Sequence, residues 1–190
     1  MTEPATRPIT LLTTDDLEPL VDHMVRQVAE SGRDGSPIFN PFGRDHRWDR
    51  AEIHERRHQR WTTKIGVPGW GRCFAAWDGT SIVGHLELDG SSIEADQHRA
   101  LLMMGIERAC HGQSLGTRLI STAVDWCLRA TELAWIDLGV FGHNAAARRL
   151  YRKAGFTVVG NTRDRFRVDG TSIDDVHMVL ALEALREPLA

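Results

Sequence analysis

The spacing of apolar residues divides the first part of the chain into short elements. A β-rich run at 9–12 is followed by the capping run 13–16, and apolar residues then recur at helical intervals. This pattern predicts a helix that ends near Ala29 and a second helix at 48–61. The apolar positions of the first helix are Leu17, Leu20, Val21, Met24 and Val28.

The middle of the chain follows a strand pattern. Apolar runs at 73–77 and 81–88 flank Asp78-Gly79-Thr80, a turn in which glycine permits a positive φ. A further apolar run covers 99–106. Three consecutive strands joined by short turns predict an antiparallel meander.

Helices and strands alternate after the meander. The predicted elements are a helix at 115–130, a strand at 135–141, a helix at 144–154, and strands at 156–160 and 173–182. No internal repeat, linker or low-complexity tract divides the chain. We therefore expect an α+β fold with one mixed central sheet of about six to seven strands flanked by helices, in a single domain over 1–190.

The segment at about 31–70 is the least regular part of the chain. Its first part, 31–43, holds three glycines and two prolines, as a loop does. The helix that follows carries charges of both signs, at Arg50, Glu52, Glu55, Arg56, Arg57 and Arg60. Mixed charge at helical spacing favours a solvated face, and a lid that contacts substrate is the alternative.

Composition and charge exclude several classes of protein. A formal net charge of −3 provides no field that attracts nucleic acid or anionic lipid. No apolar run approaches the ~18 residues of a membrane span, and residues 1–10 lack a secretory signal. We expect no nucleic-acid or membrane partner and a cytoplasmic location. The three widely spaced cysteines fit neither a disulfide framework nor paired zinc ligands, so we expect reduced thiols and no metal.

The turn at 110–116, Cys-His-Gly-Gln-Ser-Leu-Gly, follows a strand and opens a helix. Unpaired backbone N–H groups and the positive end of the helix dipole converge at such a turn, which favours an anion. Small residues at Gly112, Ser114 and Gly116 let a diphosphate approach the backbone closely. An ordinary strand-to-helix turn is the alternative at this point.

A second cluster runs from Leu138 to Phe156. Asn144 lies where a strand ends and a helix begins, which suits an N-cap or an amide offered to a ligand. Tyr151, the only tyrosine in the chain, lies two turns further along the same helical face, so both side chains can point to one cleft. A core aromatic with a satisfied hydroxyl is the alternative for this tyrosine.

These two clusters resemble the acetyl-CoA-binding motifs of the GNAT N-acetyltransferase superfamily, whose first motif is Arg/Gln-x-x-Gly-x-Gly/Ala. The resemblance covers about 79–182, and the run 149–156 with 168–170 and Met178 is particularly similar to the small-molecule branch that includes L-amino acid N-acetyltransferases. It implies acetyl-CoA as the cosubstrate. Many relatives of this kind are dimers, so a homodimer is also expected.

Matching the motif position by position assigns the site residues. His111 stands at the Arg/Gln site, Ser114 at the central glycine and Gly116 at the last glycine, so the first two depart from the family pattern. Tyr151 matches the usual general acid. The further residues that the resemblance implies at the cofactor are Ile106, Gly112, Gln113, Leu115 and Asn144.

GNAT-like chemistry is the direct attack of a neutral amine on the thioester carbonyl in a ternary complex. Tyr151 suits the role of acid because a phenol, with a pKa near ~10, stays protonated at neutral pH. The base is less obvious, because Gly139 occupies a position where peptide-modifying relatives often place a glutamate.

Three side chains are candidate bases. His98 comes first, because an even separation from Ile106 places both on one face of a regular strand and imidazole titrates in the useful range. Glu87 is the second candidate, and neighbouring His85 is considered with it, either directly or through a water chain.

The sequence therefore predicts an N-acetyltransferase that acts on the primary amine of a small molecule, such as an amino acid. One alternative is an acetyltransferase for protein N-termini or lysines, with a peptide groove built from 31–70 and the final strands. Another is a non-catalytic acyl-CoA-binding module, because a fold alone does not determine function.

Overall fold

A computed structural model describes residues 7–186 and contains one seven-stranded sheet flanked by α-helices. The strands are β1 (Ile9–Leu11), β2 (Gly71–Asp78), β3 (Ser81–Gly90), β4 (Arg99–Ile106), β5 (Trp135–Phe141), β6 (Thr157–Val168) and β7 (Thr171–Ala181). The helices are α1 (Leu17–Glu30), α2 (Arg50–Thr62), α3 (Leu115–Ala130) and α4 (Ala145–Lys153). The α+β class is confirmed. Within the described range, no helix combines the length and the apolar character that crossing a membrane requires.

The strand order is β1-β2-β3-β4-β5-β7-β6. The predicted meander of β2, β3 and β4 is antiparallel throughout, whereas β4 and β5 are parallel and are connected through α3. The parallel ladder joins only Arg99–Leu101 to Trp135–Asp137. Beyond it the C-terminal parts of β4 and β5 share no pairing, so the sheet opens between them.

Helices cover both faces of the sheet. Leu119 of α3 and Tyr151 of α4 belong to the larger core, together with Leu86 of β3. Leu17 of α1 and Trp61 of α2 belong to a second core on the opposite face. Because side chains alternate along each strand, the residues of β3 and β4 that leave the larger core point toward α1 and α2.

α2 departs in one respect from the expected solvated face. Ile53, Arg57 and Trp61 are buried and follow one another at four-residue intervals, so they form a single inward face. Arg57 is therefore an exception to the expectation that the charges of this helix face solvent. The remaining charges are exposed or half-buried: Arg50, Glu52, Glu55, Arg56 and Arg60.

β6 is longer than the strand predicted at 156–160. It continues to Val168, and most of its side chains are exposed because it forms one edge of the sheet. An edge strand with two solvated faces lacks the alternation of apolar and polar residues that reveals a strand. The prediction therefore ended where the apolar residues ended.

The loop between α1 and α2 reaches the end of the sheet where β5 meets β7. Nε2 of His143 lies 2.7 Å from the carbonyl oxygen of Ile38, and the N–H of Arg44 donates to Asp169 at 3.1 Å. These bonds tie the loop to the turn after β5 and to the turn between β6 and β7. The irregular segment therefore lies beside the open part of the sheet.

Candidate active site

The turn before α3 presents a row of free backbone donors. Arg118 is the first residue of the helix whose N–H is bonded, to the carbonyl of Ser114 at 3.1 Å. Within residues 7–186, the N–H groups from Gly112 to Gly116 have no acceptor. These N–H groups lie at the positive end of the α3 dipole. Such an arrangement favours the binding of a phosphate or diphosphate.

The backbone of this turn explains the glycines of the family motif. Gly112 has φ +73° and Ser114 has φ +59°, both in the left-handed region. Glycine adopts this region without strain, whereas a residue with a Cβ atom pays about 1–2 kcal/mol. Ser114 therefore keeps the shape of the standard motif at some conformational cost, and its N–H is still presented.

The side chains of His111 and Gln113 hold the turn together. Nε2 of His111 lies 2.9 Å from the carbonyl oxygen of Ile106, and because a carbonyl only accepts, Nε2 carries the proton. Gln113 donates to the carbonyl of Ala109 at 3.0 Å and accepts from Arg7. His111 stands where the motif has Arg or Gln, and its side chain fixes the turn to the end of β4.

Gly116 brings three elements into contact. A Cβ atom at this position would lie 2.7 Å from Cδ2 of Leu150 on α4 and 3.3 Å from Cδ1 of Ile106 at the end of β4. The first turn of α3 can approach β4 and α4 this closely because residue 116 has no side chain. The predicted cofactor residues Ile106 and Gly116 therefore lie together at the opening between β4 and β5.

Tyr151 and Asn144 both belong to α4, which starts at the same end of the sheet. Tyr151 is 6% exposed, and its ring packs edge-on against Phe156 at 5.7 Å. Burial raises the pKa of Tyr151 to about 12. Oδ1 of Asn144 accepts from the N–H of Ala147 at 3.0 Å, so Asn144 is an N-cap whose amide nitrogen is not needed for capping.

A narrow cavity lies on the opposite face of the sheet, between α2 and the middle of β3 and β4. Its volume is about 160 Å³. The residues that line it are Arg56, Arg57, Arg60, Glu87, Asp89 and Met103. Of the candidate bases, Glu87 is therefore the one that lines this cavity.

Two ion pairs form one wall of this cavity. Nη2 of Arg57 donates to Glu87 at 2.8 Å, and both side chains are 4% exposed. Nε of Arg60 donates to Asp89 at 3.0 Å. Burial, together with the charge of Glu87, raises the pKa of Asp89 to about 6 despite the nearby Arg60. The sequence did not reveal that Arg57 and Arg60 line a cavity, because α2 carries charges of both signs along its length.

A chain of three titratable groups includes His85, which lies two residues before Glu87 on the same face of β3. Nε2 of His23 is 2.9 Å from Nδ1 of His85, and Nδ1 of His23 is 3.1 Å from Glu107. Burial lowers the pKa of both imidazoles, so both are neutral near pH 7. If His23 donates to Glu107 and His85 donates to His23, Nε2 of His85 is left as a proton acceptor.

In the described part of the chain, no group of His, Cys, Asp and Glu side chains is arranged to hold a metal ion.

His98 is not brought to this site. It is exposed in the turn before β4, and its carbonyl oxygen accepts from Ala134 at 2.8 Å. Eight residues of extended chain separate it from Ile106, which corresponds to about 27 Å. The even spacing puts the two residues on one face of the strand. Their separation along the chain, however, puts them at opposite ends of it.

Gly139 is covered by a carboxylate from the neighbouring strand. A Cβ atom on Gly139 would lie 2.8 Å from Oδ2 of Asp175 on β7. Asp175 is 7% exposed. A carboxylate is thus present beside Gly139. It belongs to β7, so the sequence of β5 does not reveal it.

The open sheet, the free N–H groups before α3 and the buried tyrosine of α4 fit the binding of acetyl-CoA. The chain belongs to the Acetyltransferase (GNAT) family, whose model matches residues 37–156. It is accordingly an acyltransferase, and acetyl-CoA is its cosubstrate.

Individual relatives agree with this assignment. The L-amino acid N-acetyltransferase AaaT of Escherichia coli (strain K12) is 26% identical over 138 residues, which cover 73% of this chain and 77% of that protein. The acetyltransferase of GNAT family from Streptococcus pneumoniae has the same fold, with a TM-score of 0.76, 19% identity and 93% and 99% of the two chains covered. A putative acetyltransferase from Salmonella typhimurium, yncA, solved with acetyl-CoA, has a TM-score of 0.74 and 18% identity over 96% of each chain.

Proposed function

We propose that the protein transfers the acetyl group of acetyl-CoA to the primary amine of a small molecule by direct attack in a ternary complex. The observation that carries this proposal is the narrow cavity of about 160 Å³ on the face of β3 and β4 that α1 and α2 cover. A cavity of this size suits a small acceptor better than a peptide. The similarity to a relative described as an L-amino acid N-acetyltransferase supports the same acceptor class.

On the cofactor side, the chain contributes backbone groups. The free N–H groups from Gly112 to Gly116 would hold the diphosphate, and Ile106, at the end of β4, would border the acetyl-bearing arm. Asn144 offers its amide nitrogen near the start of α4. Bound acetyl-CoA supplies an activated thioester carbonyl, and the protein holds that carbonyl where an amine can reach it.

On the chemical side, the proton transfers belong to side chains. Tyr151 holds a proton on Oη at neutral pH, because its pKa is about 12, and donates it to the leaving sulfur. The acceptor ammonium must lose a proton before attack. Glu87 lines the acceptor cavity, and Nε2 of His85 accepts a proton when Nδ1 of His85 donates to His23, so we rank these two ahead of His98 as the base.

The test is a panel of acceptors with acetyl-CoA at saturating concentration. Free amino acids and simple amines are compared with peptides that carry a free N-terminus or a lysine, and release of CoA thiol is corrected for hydrolysis without acceptor. We expect acetylated small molecules, identified by mass spectrometry. Turnover of peptides alone would contradict the small-molecule proposal and favour a protein acetyltransferase.

We also propose that residues 1–190 form one domain and that the protein is a homodimer. Support for the single domain comes from the sheet, in which β1 and β7 from opposite ends of the chain take part. Light scattering after size exclusion gives the mass in solution, to be compared with 21.3 kDa for one chain. A mass of one chain at all concentrations would contradict the dimer.

A further inference from the structure

Arg57 is a buried cation whose hydrogen bonding is incomplete. The residue is 4% exposed, and its Nη2 donates to Glu87 at 2.8 Å. Its other two nitrogens, Nε and Nη1, are buried and have no acceptor within residues 7–186. Leaving N–H groups of a buried guanidinium unpaired is costly, more so than for a neutral donor. The described part of the chain therefore provides no acceptor for these two nitrogens.

The guanidinium is placed beside the acceptor cavity. Arg57, Glu87 and Met103 all line this cavity. Glu87 of β3 is paired with Met103 of β4, one strand spacing or about 5 Å away. Met103 is 38% exposed and lies two residues beyond Leu101, the last residue of β4 that pairs with β5. Arg57 thus faces the part of β4 that borders the open sheet.

The charges around the cavity favour an anion. Three guanidinium groups, from Arg56, Arg57 and Arg60, face the two carboxylates of Glu87 and Asp89. Each carboxylate is already paired with an arginine. The lining therefore has one guanidinium more than it has carboxylates, and Arg57 keeps two donors without an acceptor in the described part of the chain. A flat carboxylate matches the geometry of a guanidinium, and the small volume favours it over larger anions.

We propose that Arg57 binds a carboxylate of the acceptor through Nε and Nη1, so that the acceptor is an amine that also carries a carboxylate, as α-amino acids do. Glu87 orients the guanidinium from the other side. This inference rests on the proposed function, because it specifies which small amines the enzyme acetylates. It assigns the substrate-class specificity to a residue of α2, in the irregular segment of the chain.

The first experiment uses the unmodified enzyme and matched pairs of acceptors. Each pair consists of an amino acid and the amine that lacks only its carboxylate: L-phenylalanine with phenethylamine, L-tyrosine with tyramine, L-leucine with isopentylamine and L-histidine with histamine. Charge-assisted hydrogen bonds to a buried arginine correspond to about 10- to 100-fold in affinity. We expect kcat/KM for the preferred amino acid to exceed that of its amine by at least this factor.

The second experiment replaces Arg57 by lysine, which keeps a positive charge beside Glu87 but cannot offer two further donors from a planar fork. We expect the ratio of KM for the amino acid to KM for the matched amine to rise about 10- to 100-fold. The control is Arg50→Lys, on the same helix, where the arginine is 47% exposed and pairs with Glu18 and Asp22. Thermal unfolding and the Kd for acetyl-CoA report whether each variant is folded.

The outcomes separate this inference from the proposed function when binding is measured alongside turnover. Calorimetry with CoA-saturated enzyme and the same acceptor pairs shows whether binding needs the carboxylate and Arg57. Equal turnover of both members of every pair would overturn the inference and leave the proposed function standing. Carboxylate-dependent binding without turnover would support the Arg57 site and contradict the proposed function. Neither binding nor turnover would contradict both, and if Arg57→Lys does not fold, the acceptor pairs on the unmodified enzyme still decide.

Discussion

Tyr151 is a core residue for which we also propose a chemical role. Its ring is buried against Phe156 in the larger core, which agrees with the interpretation of a core aromatic. Burial alone raises its pKa, and its hydroxyl has no hydrogen-bond partner among residues 7–186. A phenol that keeps its proton in an apolar setting suits an acid at neutral pH.

Replacing Tyr151 by phenylalanine tests this role directly. The variant removes Oη and preserves the ring packing, so we expect kcat to fall about 10²- to 10⁴-fold. The Kd for acetyl-CoA, measured by calorimetry, should stay within about twofold, because the diphosphate site that we propose is the turn at 112–116 and not Tyr151. Unchanged turnover would remove the acid role from this residue.

The buried histidine pair predicts a pH dependence of stability. The pKa values of His23 and His85 are lowered in the folded protein, mainly by burial, so below about pH 6.5 the unfolded chain binds protons that the folded chain does not. The free energy of unfolding therefore falls with decreasing pH, by up to about 1.4 kcal/mol per pH unit for each imidazole. Asp89, with its pKa raised to about 6, acts in the opposite direction between about pH 6 and 4.

Urea unfolding of the unmodified protein and of His85→Gln at pH 7, 6 and 5 isolates the histidine contribution, because Asp89 is common to both. We expect the stability difference between the two proteins to shift in favour of the variant as the pH falls. His58→Gln, an exposed histidine of α2, serves as the control. A difference that stays constant over this range would show that His85 takes up its proton equally in both states.

The turn before α3 is an element that departs from the motif of its family. Ser114 adopts φ +59° where the motif has glycine. The strain that this imposes is of the order of 1–2 kcal/mol and is absent for glycine. Side-chain hydrogen bonds from His111 and Gln113 to backbone carbonyls hold the turn in this shape.

Ser114→Gly should therefore stabilise the turn. We expect about 0.5–1 kcal/mol in the free energy of unfolding, after the greater flexibility of glycine in the unfolded chain is offset, and tighter binding of acetyl-CoA. Denaturant unfolding and calorimetry measure the two effects. Ser114→Ala is the matched control, since alanine keeps the Cβ atom. An equal gain from alanine would show that the hydroxyl, and not the backbone strain, was responsible.

The elements that could be predicted were those with one buried face. The runs 99–106, 115–130 and 135–141 match β4, α3 and β5 residue for residue, because each buries a regular stripe of apolar side chains. β6 was predicted too short because its side chains are mostly exposed. The burial of Arg57 was missed because a charged residue at helical spacing is ordinarily solvated, and its pairing with Glu87 depends on another element.

For the whole molecule, binding of acetyl-CoA should appear as stabilisation. A ligand that binds only the folded protein adds about 2.7 kcal/mol at a concentration of 100 times its Kd. For a chain of 190 residues this raises Tm by roughly 5–10 °C. Thermal unfolding is compared with acetyl-CoA, with CoA and with a thioester that lacks CoA. The absence of a shift would mean that the turn with His111 and Ser114 does not bind the cosubstrate.

The sequence by itself determined the family, the order of the elements and the position of the strand-to-helix turn at 110–116, because these depend on residues that are close along the chain. Tertiary structure decided the rest. It showed where β4 and β5 separate, it placed His98 at the far end of its strand, and it brought Arg57 to Glu87. The reason is that side chains distant in sequence meet only through packing across the sheet, and local spacing carries no record of which element faces which.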